Sequence, residues 1–170
     1  PLRLVGSEMC IRDRSEAALY RHFASKAQMF EGLIEFIEST VFGLINKITE
    51  QQENGLSQVQ AVVLMLLNFA ERNPGMTRVM IGDALVNEDE RLQTRMNQFI
   101  DRIELALKQS LRIAATQGQA NEAEIAVRAN LIANTVLGHW QRYAKTGFKQ
   151  NPSEHCLLYT SDAADEEDSV

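Results

Sequence analysis

The sequence is poor in proline and glycine, with 3 and 9 in 170 residues. A β-rich chain needs frequent turn signals, so this scarcity favours long helices. A membrane-length apolar run is also missing: the longest, AVVLMLLNFA at 61–70, is about half of the ~20 residues that cross a bilayer and reads as a core helix. No charged start, apolar stretch and small-residue cleavage site follow one another near the N-terminus, so no signal directs the chain out of the cytoplasm. Cysteine is limited to Cys10 and Cys156; one disulfide is possible on paper, although thiols in a cytoplasmic chain generally stay reduced. Histidine is scarce as well. His22, His139 and His155 are far apart and are accompanied by no glycine-rich phosphate loop, metal-ligand spacing or nucleophile motif, so we expect a non-enzyme with no catalytic residue, no metal and no cofactor.

What is present is enough apolar residue, 45%, to bury a real core in one domain, with no repeat period. The net charge of −6 is unevenly spread: residues 1–14 carry +1 and 156–170 carry −5, which leaves −2 for the middle. Most of the acidity therefore belongs to a tail and does not argue against a nucleic-acid partner.

The two ends differ from everything between them. PLRLVGSEMCIRDR lacks a packing periodicity, and CLLYTSDAADEEDSV ends in an acidic run that reads as solvated and disordered. SEMCIRDR and CLLYTSDAADE also resemble peptides read from translated sequencing-adapter DNA, so residues 1–14 and 151–170 are expected to be a non-native leader and tail. A pair of ordinary flexible termini is the other reading.

Between them the chain reads as all-α. Ser15 caps a two-turn helix, EAALYRHF, with Leu19 and Phe23 on one face. Ser25 and Gln28 form a capping box for a long helix from Lys26 to about Gln52, which Asn54-Gly55 ends. Ser57 and Gln60 start the next, which runs to Arg72, stops before Asn73-Pro74-Gly75 and is apolar on every side from Ala61 to Leu67. After the short stretch MTRVMIGDAL, a helix spans about Glu88 to Thr116, and a last one spans about Asn121 to Gly147. The stripes of these two, including Ile103, Leu107, Ala129, Ala133, Val136 and Trp140, suggest a hairpin that completes its burial against a second copy as a four-helix bundle. A bundle closed within one chain is the alternative.

SEAALYRHF has the form of a DNA-recognition helix. Ser15 opens it, Ala17 and Ala18 keep its leading end slim, Leu19 and Phe23 anchor its rear, and Tyr20, Arg21 and His22 can reach phosphates or base edges. Lys26 adds a positive charge at a helix start, where free N–H groups already favour a phosphate. By periodicity alone the segment also fits a plain amphipathic connector. The order Leu-Tyr-Arg-His-Phe, then Ser-Lys and a long helix, resembles the end of the helix-turn-helix in TetR-family regulators, and FEGLIEFIE and NFAERNPGMTRVMIGDAL extend the resemblance to a branch of that family acting in cell division.

The resemblance implies a TetR-like fold: residues 15–25 as the recognition-helix remnant of a helix-turn-helix and 26–150 as a helical regulatory and dimerisation domain. It implies a homodimer on palindromic double-stranded DNA, in the cytoplasm and on the nucleoid, that engages the C-terminal tail of the tubulin-like protein FtsZ and keeps the division ring off unsegregated chromosomes. The tail is expected in a groove between the helices 26–52 and 57–72, with Phe36, Met65 and Phe69 as its floor and Arg72 and Asn73 meeting acidic residues. Met65 and Asn68 depart from the family pattern, and core packing plus a helix stop at Arg72-Asn73-Pro74 accounts for the same residues singly. The family's first two DNA-binding helices have no counterpart in residues 1–14, so this chain is expected to bind DNA weakly or not at all. A ligand-responsive TetR repressor and a helical interaction module that never touches DNA are the rival readings.

Overall fold

In the computed structural model, residues 24–155 are described. They form five α-helices: α1 Lys26–Gln51, α2 Gly55–Arg72, α3 Pro74–Met80, α4 Glu90–Thr116 and α5 Ile125–Lys145. Short 3₁₀ turns at Asp83–Leu85 and Glu122–Glu124 complete the described elements, none of which is a strand.

Each helix starts where a local signal sets it. Ser25 Oγ accepts from the Gln28 amide at 3.1 Å, and the Gln28 side chain accepts in turn from the Ala24 amide at 3.1 Å, a capping box displaced by one residue. At α2 the expected cap moves. Asn54, not Ser57, is the N-cap: its side-chain oxygen accepts from the Ser57 amide at 2.9 Å, and the helix begins at Gly55. Asn54-Gly55 thus starts α2 instead of closing α1. The reason is tertiary: Gly55 is pressed so closely on α4 that a Cβ there would lie 2.2 Å from Ala114 N, and the Gly55 amide donates to the Gln117 side chain at 2.9 Å. Pro74 occupies the first turn of α3, where its missing N–H costs nothing.

Asp89 caps α4, and Gly118, at φ 77°, closes it with the Gln119 amide donating to Ala114 O at 2.8 Å. Asn121 caps the 3₁₀ turn that leads into α5, its side chain accepting from Ala123 N, and α5 is followed by two left-handed residues, Gly147 and Phe148. Phe148 is held there by its edge-to-face contact with Tyr143, centroids 5.1 Å apart, and by the Arg78 guanidinium 5.4 Å from its ring. The tail boundary expected at 151 shifts with it. Pro152 is buried, and Ser153 Oγ donates to the Glu71 carboxylate, so residues 151–155 pack onto the end of α2.

α2 is the central element, in contact with α1, α3, α4 and α5. Its apolar circumference is used for that purpose. Leu66 and Leu67 are fully buried together with Ile34, Ile37, Val41, Phe99, Leu107 and Trp140. The Trp140 indole, 74 residues away in sequence, donates to Leu66 O at 3.1 Å and gives its polar edge a partner inside the core. Thr77, also fully buried, is satisfied by donating to Ala70 O at 2.9 Å.

Candidate binding surfaces

Of the DNA-contact candidates, Ser15, Ala17, Tyr20, Arg21 and His22 lie outside the described residues. Lys26 is the first residue of α1, half exposed, and lies 5.9 Å from the Phe30 ring centroid. Its ammonium pairs with Glu88 on the turn before α4. Two more ion pairs tie α1 to α4: Arg91 with Glu31 at 4.0 Å and Arg95 with Glu38 at 2.7 Å. Beyond them the Arg102 guanidinium stacks 3.8 Å above Phe42. The hydrogen bond from Arg95 to Glu38 holds that guanidinium still more firmly protonated than usual.

These contacts fix which flank of α1 faces α4. Glu31, Glu38 and Phe42 face it, which turns Met29, Leu33 and Phe36, at positions i, i+4 and i+7, away from α4. Phe36 is 38% exposed, a large apolar side chain in water. On α2, Met65, Asn68 and Arg72 share one flank by the same spacing; Met65 is half-buried against the core and Arg72 is exposed. The five expected tail-binding residues thus divide. Phe36 and Arg72 are exposed and Met65 is half-buried, whereas Phe69 is only 9% exposed and belongs to the core. Asn73 bonds back through its amide to Phe69 O at 2.8 Å, securing the α2–α3 corner. Leu33 and Met29, on the Phe36 flank, are partly buried against the core.

The six residues expected at a two-fold interface lie elsewhere than expected. Ile103, Leu107, Ala129, Ala133, Val136 and Trp140 are each at most 3% exposed within the single chain. They pack α4 and α5 onto α2, so their stripe is spent inside the chain and presents no area to a second copy. The large apolar residues left outward on the hairpin are Leu105, Ile113, Val127 and Leu131, at 54%, 37%, 71% and 65% exposure. Across the hairpin the Asn130 side-chain amide donates to the Glu104 carboxylate at 3.1 Å. The signal was present in the sequence: Val127 and Leu131 are apolar, four apart, and off the stripe. Farther along the same face of α5, Thr135, Gly138, His139, Gln141, Arg142 and Lys145 line a shallow open groove of about 520 Å³. Among the described residues no three His, Cys, Asp or Glu side chains group as a metal site, and no helix is long and apolar enough to cross a membrane.

Residues 53–161 match the SlmA-like family of C-terminal domains, described as "Tetracyclin repressor-like, C-terminal domain". The match includes the whole of α2 to α5. The chain belongs to this SlmA-like, TetR-type family. Similar curated proteins extend the relationship upstream. The chain is 50% identical over 142 residues to the nucleoid occlusion factor SlmA of Idiomarina loihiensis, covering 83% of this chain and 72% of that protein. It is 47% identical over 146 residues to the SlmA of Aliivibrio fischeri, covering 85% and 74%, and 48% identical over 142 residues to that of Shewanella amazonensis, covering 83% and 72%. The SlmA-like domain therefore includes the Met65–Arg72 flank of α2 and both helices of the hairpin, while α1 and Lys26 precede it.

Proposed function

We propose that this protein is a nucleoid occlusion factor: a two-fold DNA-binding regulator that holds palindromic chromosomal sites and, from there, antagonises assembly of the FtsZ ring. The observation that carries the reading is the 50% identity over 142 residues to a protein named nucleoid occlusion factor SlmA. In this reading Ser15, Ala17, Tyr20, Arg21 and His22 contact the duplex together with Lys26, the first residue of α1. The α1–α2 groove takes the FtsZ tail, with Phe36 and Met65 against its apolar residues and Arg72 against its acidic ones. Asn73 acts by holding the α2–α3 corner. Two copies meet through the outer hairpin face at Leu105, Val127 and Leu131, the apolar area that the single chain leaves in water. The protein catalyses nothing in this scheme; it works by binding.

The test is sedimentation of GTP-assembled FtsZ polymer. We use this chain and a chimera in which residues 1–14 are replaced by the N-terminal helices of the Idiomarina loihiensis relative, each with and without a duplex carrying that relative's palindromic site. Loss of polymer that depends on both chimera and duplex is the expected result, and Phe36→Ala should abolish it. Polymer that is unaffected in every arm overturns the proposal, and release of the duplex by a metabolite without any effect on FtsZ assigns the protein to the ligand-responsive repressors.

A further inference from the structure

The turn ahead of α4 is built to present one carboxylate. Asn87 takes a left-handed backbone conformation, φ 67°, which asparagine tolerates better than most residues. The Glu88 amide then donates to Leu85 O at 3.0 Å, and Asp89 follows as the α4 cap. The Glu88 side chain is 17% exposed and pairs with Lys26 across 62 residues of sequence, while Lys26 keeps half of its own surface open to solvent. The neighbouring pairs, Arg91–Glu31 and Arg95–Glu38, lie farther along α1 from its start.

A DNA phosphate that approaches the start of α1 therefore meets a lysine already neutralised. To form the contact, Lys26 must exchange a carboxylate for a phosphate, and the largely covered Glu88 is left beside a second negative charge. The geometry points to Glu88 as a brake on DNA affinity: it competes with the backbone phosphate for Lys26 and so sets how tightly the protein holds a duplex. Glu88 touches no DNA itself; it is a positioning residue acting through Lys26. The inference rests on the DNA-binding reading above and adds a determinant of affinity in the body of the protein. A mere tie between α1 and α4 makes the opposite prediction, since loosening it would weaken binding.

Phosphate contacts are independent of base sequence, so a mixed-sequence duplex of about 30 base pairs at ~50 mM salt is a sufficient probe. Anisotropy titrations compare the chimera with its Glu88→Gln, Glu90→Gln, Lys26→Gln and Lys26→Gln/Glu88→Gln variants, each first shown by thermal melting to be folded. Glu88→Gln should bind roughly two- to five-fold more tightly, the range expected for release of one exposed ion pair. Glu90→Gln, which removes the same charge two residues away, should change binding less, and the gain should vanish once Lys26 is replaced. Equal or weaker binding by Glu88→Gln overturns the brake, as does an equal gain from Glu90→Gln or a gain that survives the loss of Lys26. A duplex left unbound by every chimera refutes the DNA-binding reading itself, and the brake falls with it.

Discussion

Gly55 shows how a single residue decides an element boundary. The Asn54-Gly55 pair was legible as a punctuation mark, but its sense was reversed: glycine is there because the chain must pass against the backbone of α4, with 2.5 Å from its missing Cβ to Ser110 O. Nothing within four residues of Gly55 reports that neighbour. Gly55→Ala is expected to destabilise by about 2–3 kcal/mol or more through overpacking against immovable backbone, read as a lower urea midpoint at unchanged m-value; an unchanged midpoint would mean the approach is looser than described. The groove residues follow the same rule. Phe36 and Phe69 look equivalent in sequence, yet only the packing of α1 and α2 leaves one 38% and the other 9% exposed.

At the scale of elements, caps and charge pairs hold the helix ends. Asn54→Ala should cost about 1 kcal/mol, whereas Ser57→Ala should cost little, because the cap bond is accepted by Asn54 and only the backbone of Ser57 takes part in it. Equal losses from both in urea titrations would restore the Ser57 cap. Two acidic residues add a pH dependence. The Lys145 side chain holds the Asp83 carboxyl below its ordinary 3.8, and hydrogen bonds from the Arg91 side chain and amide do the same for Asp89. A carboxyl whose pKa is lowered by folding contributes stability that is present above its unfolded value and is lost as pH falls through the folded one. Melting temperatures between about pH 2 and pH 6 should therefore decline on the acid side, and Asp83→Asn with Asp89→Asn should flatten that decline, since asparagine keeps the α4 cap without the charge. An acid limb identical to that of the parent would show that these two groups do not set it.

For the whole molecule, the decisive question is which face of the α4–α5 hairpin remains for another copy. The sequence offered two apolar sets on α5, and the longer one is consumed by α2. For the proposed two-fold assembly, Leu131→Glu should shift the protein from dimer to monomer in sedimentation velocity while helical content is retained. Val136→Glu instead places a charge at a position 2% exposed and should unfold the chain. A Leu131→Glu protein that stays dimeric would move the two-fold surface off this face.

By itself the sequence determined the helical class, four of the five described helices to within a few residues, the stops at Asn73-Pro74, Gly118 and Gly147, and the family; the short α3 was read only as a stretch between helices. Those features are written in spacings of three and four, in capping residues and in segment similarity, all of which act within a few positions along the chain. Tertiary structure alone decided the rest: the cap at Asn54, the ordering of 151–155 against Glu71, the Lys26–Glu88 pair and the inward use of the hairpin stripe. Each of these depends on a partner about 60 or more residues away, or on which of two similar helix faces a third helix covers first, and local periodicity carries no record of either.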